Sequence, residues 1–245
     1  MYFSTLPELI GFYSDEEWKH IKILNHFYVN TDNDDLLKSH RDQVEYMQLG
    51  FGDREFSWLW KLLVDIMPQS FKALEIGVYK GQVISLWSLL AERENKDAQI
   101  FGITPLSGIQ DEICAAHEDL NYYQEIKNTF NVFNLDFNQL TIIKGLSQDK
   151  YIIEEAKKYS EYDIIYIDGN HSYQGVVDDL NNYCSMLKIG GYLVCDDSSN
   201  YTTLPYYRFK GIETVSRACR DILYNNDQFK HLASVGHNNI FLRLK

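Results

Sequence analysis

The chain reads as an α/β protein: a doubly wound, mostly parallel seven-stranded sheet with a C-terminal antiparallel hairpin and an N-terminal helical extension. Three observations predict it. From residue 71, short apolar runs alternate with stretches of helical periodicity, the pattern of repeated βα units. Two of those runs end in acids, YDIIYIDGNHSY (162–173) and GGYLVCDDSS (190–199), with helical periodicity between them. A right-handed crossover then brings Asp168, Asp196 and Asp197 to one edge of a parallel sheet. The chain closes with two strand-like runs around Gly236-His237-Asn238-Asn239, a hairpin signal.

The elements follow in order. Residues 1–68 are assigned to the extension and 69–245 to the main domain. In the extension, Ser14-Asp15-Glu16-Glu17 reads as a helix start, with acids in the first turn. Trp18, Ile21, Leu24, Phe27 and Tyr28 follow at helical spacing, and further helices are expected over 33–48 and 55–66. The aromatics here read as packing residues. Such a segment serves either as a lid or as a dimer face, so a homodimer is the expected assembly. Strands are predicted at 72–78, 99–104, 141–145, 162–168, 192–196, 229–235 and 240–244. Helices are predicted at 80–92, 111–130, 149–159, 173–188 and 211–224, with Gly190-Gly191 as the stop signal after the fourth.

Composition narrows the function. The formal charge of -12 argues against binding nucleic acid or an anionic membrane surface, both of which need basic stripes. No apolar run approaches the roughly 18–20 residues of a membrane span, and the first residues lack a basic region before their apolar stretch. Four cysteines lack metal-type spacing, and Cys184, Cys195 and Cys219 lie in apolar periodic stretches, so buried thiols and a cytoplasmic location are expected.

Carboxylates crowded at one sheet edge repel one another unless a hard cation draws them together. Asp168, Asp196 and Asp197 are therefore candidate ligands of a divalent metal, with Ser198 or Asn200 as an added oxygen. Taken alone, Asp196-Asp197 also fits a helix cap or a solvated turn. The first strand runs into LEIGVYKGQV, placing Glu75, Gly77 and Gly81 as E-x-G-x-x-x-G rather than the dinucleotide spacing. An acid there suits a ligand carrying positive charge, such as a sulfonium-bearing amino acid conjugate; a plain strand–helix turn is the alternative.

EIGVYKGQ, FGITPLSG, IDGNHSY and GGYLVCDDSS, in this order over about residues 70–200, resemble the class I S-adenosylmethionine-dependent methyltransferases, which have a Rossmann-like fold. Within them the chain is most similar to the metal-dependent O-methyltransferases that act on sugar hydroxyls in macrolide biosynthesis. The resemblance implies cofactor contacts at Glu75, Gly77, Tyr79, Gly81, Thr104, Ser107, Ser147, Gln148 and Asp168. It implies a cation, magnesium by expectation, on Asp168, Asp196 and Asp197, and His171 as general base. In many members an acid at the end of the second strand holds the cofactor ribose. Here Thr104 stands there, so Thr104, Ser107, Asp111 or Glu112 must take that role. Asp149 reads either as an adenine contact beside Ser147 and Gln148 or as a helix cap. The expected activity is methyl transfer from S-adenosylmethionine to a hydroxyl of a sugar, glycan or small diol. The competing readings are a catechol-type O-methyltransferase, a metal-binding glycan- or natural-product-modifying enzyme that transfers no methyl group, and a non-catalytic binding protein.

Overall fold

A computed structural model describes residues 3–108 and 120–245. Asp111, Glu112, Cys114 and the start of the helix expected over 111–130 lie outside the described residues.

Four helices open the chain: α1 (Leu6–Phe12), α2 (Glu17–Asn33), α3 (Asp35–Met47) and α4 (Glu55–Ile66). α1 was not anticipated as a separate element. The Thr5 hydroxyl and the Glu8 carboxylate each accept a backbone N–H of the other's residue, a capping box that satisfies two helix-end donors. α2 begins where the acids predicted it, although Glu16 makes no side-chain cap.

The α/β part then alternates β1 (Ser70–Ile76), α5 (Gln82–Arg93), β2 (Asp97–Thr104), α6 (Tyr122–Val132), β3 (Leu140–Lys144), α7 (Lys150–Lys157), β4 (Tyr162–Ile167), α8 (Tyr173–Tyr183) and β5 (Leu187–Cys195). It ends in α9 (Glu213–Cys219), β6 (Phe229–Val235) and β7 (Asn238–Arg243). The strand order is β3-β2-β1-β4-β5-β7-β6, with β7 antiparallel to both neighbours and the remaining pairs parallel. Strand order reverses between β1 and β4. Ligands of open α/β sheets bind at such a switch point, off the carboxyl ends of the strands.

Burial explains the layering. Every residue of β4, YDIIYI, is buried, as a central strand covered on both faces must be. Its one acid, Asp163, accepts the Lys72 N–H and the Lys188 ammonium, each at 2.8 Å. One face of the sheet packs against α1, α2, α4 and α5 through Phe3, Leu9, Phe27, Trp60, Trp87 and Tyr166. The N-terminal helices thus share a single core with the sheet. The other face is covered by α7, α8 and α9, through Ile152, Leu180, Tyr183, Val215 and Cys219.

The helix expected over 173–188 ends at Tyr183, and Gly190-Gly191 fall inside β5 rather than after a helix. Leu187 continues the helical apolar spacing but is buried as the first residue of β5, where it pairs with Tyr162. The register then jumps to Ile164↔Tyr192, and Gly190 takes up the irregularity with φ +84.

Candidate functional site

Off the carboxyl ends of β1, β2, β3 and β4 lies a cleft of about 300 Å³. Its lining includes Gly77, Tyr79, Thr104, Ser107, Ser147, Gln148, Asp168 and His171, so the fold gathers eight of the sequence-predicted positions around one space. Gly77 has φ +101, and a Cβ there would lie 1.8 Å from the Asp168 carbonyl oxygen. Glycine is therefore what lets the end of β1 pass against the end of β4. Tyr79 stands between Phe51 and Tyr122, with ring centroids 5.2 and 5.4 Å away, forming an aromatic wall.

Two predicted contacts lie elsewhere. Glu75 is buried and does not line the cleft; its carboxyl is held by the Ile84 N–H at the start of α5, and Oε2 has no hydrogen-bond partner. Burial, and secondarily the charge of Asp196, pushes its pKa up to about 8. Strand alternation is the cause, since residue 75 points to the face shared with Tyr166 while the cleft opens off the strand ends. Gly81 is the left-handed N-cap of α5, and a Cβ there would crowd Ile126 of α6 at 3.2 Å. Packing of α6 accounts for that glycine.

The far side of the cleft is well braced. The Gln148 amide donates to Asp179 of α8 at 2.9 Å, and the Tyr183 hydroxyl donates to the Ser147 carbonyl at 2.8 Å. Asp179 is fully buried, and desolvation raises its pKa to about 7 against the hydrogen bonds from Ser147 and Gln148. Asp149 is the N-cap of α7 by position but makes no side-chain cap bond. The Thr104 hydroxyl accepts the Leu106 N–H at 3.2 Å, closing the turn after β2.

Beside Asp168 the acids gather as expected. Burial first, then the charges of Asp196, Asp197 and Glu75, drives the Asp168 pKa well above the usual carboxylate range, and the Tyr166 hydroxyl donates to its Oδ2 at 3.4 Å. Asp197 is pushed up to about 6 by burial and by Asp196, opposed by His237 and His171. Its backbone is left-handed, φ +51, an unfavourable conformation that its surroundings hold in place. Its carbonyl accepts both the Ile212 N–H at 2.9 Å and the Ser216 hydroxyl at 3.2 Å. His171 Nε2 lies 3.7 Å from Asp197 Oδ2, and its carbonyl accepts the Thr214 hydroxyl at 2.6 Å. Ser198 is committed elsewhere, donating to the Cys195 carbonyl and accepting from Asn239. Asn200 is tied to Ser216 through its backbone.

No local motif signals that His237 belongs here. It had been assigned only to the final hairpin, yet its Nε2 lies 3.5 Å from Asp196 Oδ1 and 3.8 Å from Asp197 Oδ1. Because β6 runs parallel to β5, the turn after it emerges beside the Asp196-Asp197 loop. Strand direction was the missing signal. Over this corner lies the segment 200–210, with Tyr206, Tyr207 and Phe209 exposed. Arg208 anchors it to Asp53 and Glu55 at 2.9 and 2.8 Å.

A family model described as a methyltransferase domain matches residues 74–198, the stretch that supplies the cleft and its acids. The chain belongs to this methyltransferase family. Among curated proteins it is similar to the uncharacterised protein R132 of Acanthamoeba polyphaga mimivirus, 33% identical over 133 residues. That alignment takes in 54% of this chain and 53% of R132, so the chain spans about half the length of that relative. Among solved structures it is similar to CalS11, a TDP-rhamnose 3'-O-methyltransferase in calicheamicin biosynthesis, with TM-score 0.55 and 14% identity over 96% of this chain and 98% of that one. It is also similar to the MycE methyltransferase of the mycinamycin pathway in complex with Mg and SAH, with TM-score 0.55 and 17% identity over 86% and 55%. At these identities the likeness establishes the methyltransferase fold, and the seven-stranded sheet with its antiparallel β7 agrees with it. Among the described residues, no helix is long and apolar enough to cross a membrane.

Proposed function

We propose that this methyltransferase-family protein moves a methyl group from S-adenosylmethionine to one hydroxyl of a vicinal diol, on a sugar or glycosylated small molecule, with help from a divalent cation. One observation carries the reading: Asp168 and His171 line the cleft and also border the Asp196/Asp197 cluster. A donor cleft and a cation site would then share a wall.

The residues fit both groups. Asp196 Oδ1 is buried without a hydrogen-bond partner, and burial together with the neighbouring carboxylates raises the pKa of Asp168 and, to about 6, that of Asp197. A dication relieves both strains. Asp168, Asp196 and Asp197 would hold it, and it would lower the pKa of a neighbouring hydroxyl and stabilise developing negative charge. S-adenosylmethionine would supply an electrophilic methyl on sulfur, its adenine end toward Ser147 and Gln148 and its amino acid end toward Gly77 and Tyr79. His171 would accept the proton of the attacking hydroxyl, and methyl transfer to that oxygen would leave S-adenosylhomocysteine as the other product. Asp197 would orient the His171 ring, and Tyr79 and Phe51 would wall the cofactor side of the cleft. Neighbouring hydroxyls favour a sugar or a catechol; the exposed aromatics of 200–210 offer faces for a sugar ring.

The test is methyl transfer from radiolabelled S-adenosylmethionine to a panel of sugars, glycans and phenols, with EDTA or with added magnesium. Full turnover after metal stripping defeats the cation-assisted reading. The Thr104 position favours a second reading, a cation-binding enzyme that transfers no methyl group. Calorimetry with S-adenosylhomocysteine separates the two, because only the first predicts binding heat.

A further inference from the structure

The His237 imidazole sits where the ligand shell of a cation would need a donor. Only 6% of the residue is exposed. Its Nε2 faces Asp196 Oδ1 and Asp197 Oδ1 at 3.5 and 3.8 Å, too far for good hydrogen bonds. Donors each about 2.0–2.2 Å from a single ion can stand up to roughly 4 Å apart, so both separations suit a shared cation. One donor atom from each of the three residues lies within 4.8 Å of the other two. Asp196 Oδ1, the oxygen nearest the ring, is the one with no hydrogen-bond partner.

Among the described residues, the two carboxylates are the polar groups facing this nitrogen. Phe56 and Phe209 pack edge-on against the ring at 4.6 and 5.1 Å and fix its plane, while Nδ1 has no hydrogen-bond partner. The His237 carbonyl accepts the Ser198 N–H at 2.9 Å, which ties the hairpin turn to the acid loop. The imidazole is thus positioned by packing and by backbone, and is aimed at the two carboxylates.

We propose that His237 is a ligand of the cation together with Asp196 and Asp197, and that the site therefore prefers a transition-metal dication such as Mn²⁺ over Mg²⁺. This rests on the cation-assisted reading above and changes its chemistry. An all-carboxylate set suits hard ions, whereas an imidazole nitrogen raises affinity for later divalent metals much more than for magnesium. His171, on the cleft side, keeps its role as proton acceptor in that reading.

The experiment is pulsed electron paramagnetic resonance on the 245-residue chain loaded with Mn²⁺, reading nitrogen modulation from a bound imidazole, alongside Mn²⁺ and Mg²⁺ titrations by calorimetry. The expected result is a directly coordinated nitrogen in the wild type that persists in His171→Gln and disappears in His237→Gln. Mn²⁺ affinity should fall at least about 10-fold in His237→Gln, with a smaller change for Mg²⁺. Wild type and His171→Gln decide the matter even if His237→Gln fails to fold. Bound Mn²⁺ without a nitrogen signal, or a signal lost in His171→Gln, overturns the assignment and leaves the carboxylate site standing. If wild type binds neither ion, the cation-assisted reading falls with it.

Discussion

Phe56 of α4 meets His237 edge to face, with ring centroids 4.6 Å apart at 88°, so a helix of the N-terminal segment sets the angle of an imidazole in the C-terminal hairpin. A Cβ on Gly236 would approach the same Phe56 ring at 2.8 Å, so the turn leaves no slack. Phe56→Ala should therefore cost about 3–5 kcal/mol of stability, the range for a buried aromatic cut to a methyl. Urea unfolding measures it. A loss below about 1 kcal/mol would mean that the contact is incidental.

The acid loop gives a prediction about cation binding. Asp196→Ala and Asp197→Ala should each weaken divalent cation binding by about 10-fold or more while leaving the S-adenosylhomocysteine cleft intact, since neither residue lines it. Parallel calorimetric titrations of both ligands check this. Equal loss of both would point to collapse of the site rather than to lost ligands.

Asp179 sets a pH dependence. Its folded pKa of about 7 lies above the unfolded value of roughly 3.9, so the folded chain binds that proton more tightly. Its contribution is present below about pH 4 and is lost as pH rises through 7, on the order of 4 kcal/mol in all. Asp179→Asn keeps an oxygen for the Gln148 amide but cannot ionise. It should flatten melting temperature against pH between 4 and 8 and exceed the wild type at pH 8. Parallel curves for the two proteins would contradict this.

Gly77 tests the meeting of β1 and β4. With φ +101 and the Asp168 carbonyl in the way, Gly77→Ala has to force the two strand ends apart. Binding of S-adenosylhomocysteine should fall by at least about 10-fold, together with a loss of roughly 2–3 kcal/mol in stability. Gly81→Ala, beside the side chain of Ile126 instead of backbone, should be the milder of the two.

The layered sheet was legible because strand and helix periods alternate cleanly from β1 to β5, and because Asp168 and Asp196-Asp197 end apolar runs. The cleft positions came from the resemblance of EIGVYKGQ, FGITPLSG and IDGNHSY to the methyltransferases. Three matters were not legible. Leu187 satisfies a helical spacing and a strand position equally, so periodicity alone could not end α8 at Tyr183. Glu75 has the right sequence position for a ligand contact, but strand alternation turns it into the core beside Tyr166. His237 sits in a short turn whose neighbours are fixed only once β6 is known to run parallel to β5, a long-range fact that local pattern does not contain.

The clasp of Arg208 on Asp53 and Glu55 fastens the 200–210 segment to the start of α4. Tyr206, Tyr207 and Phe209 flank this clasp, Thr203 adds a second hold on Asp15, and the cleft draws its walls from other loops. Exchange of Tyr206 or Tyr207 would alter only the outer surface of that segment, whereas exchange of Phe209 would also loosen the His237 ring beneath it.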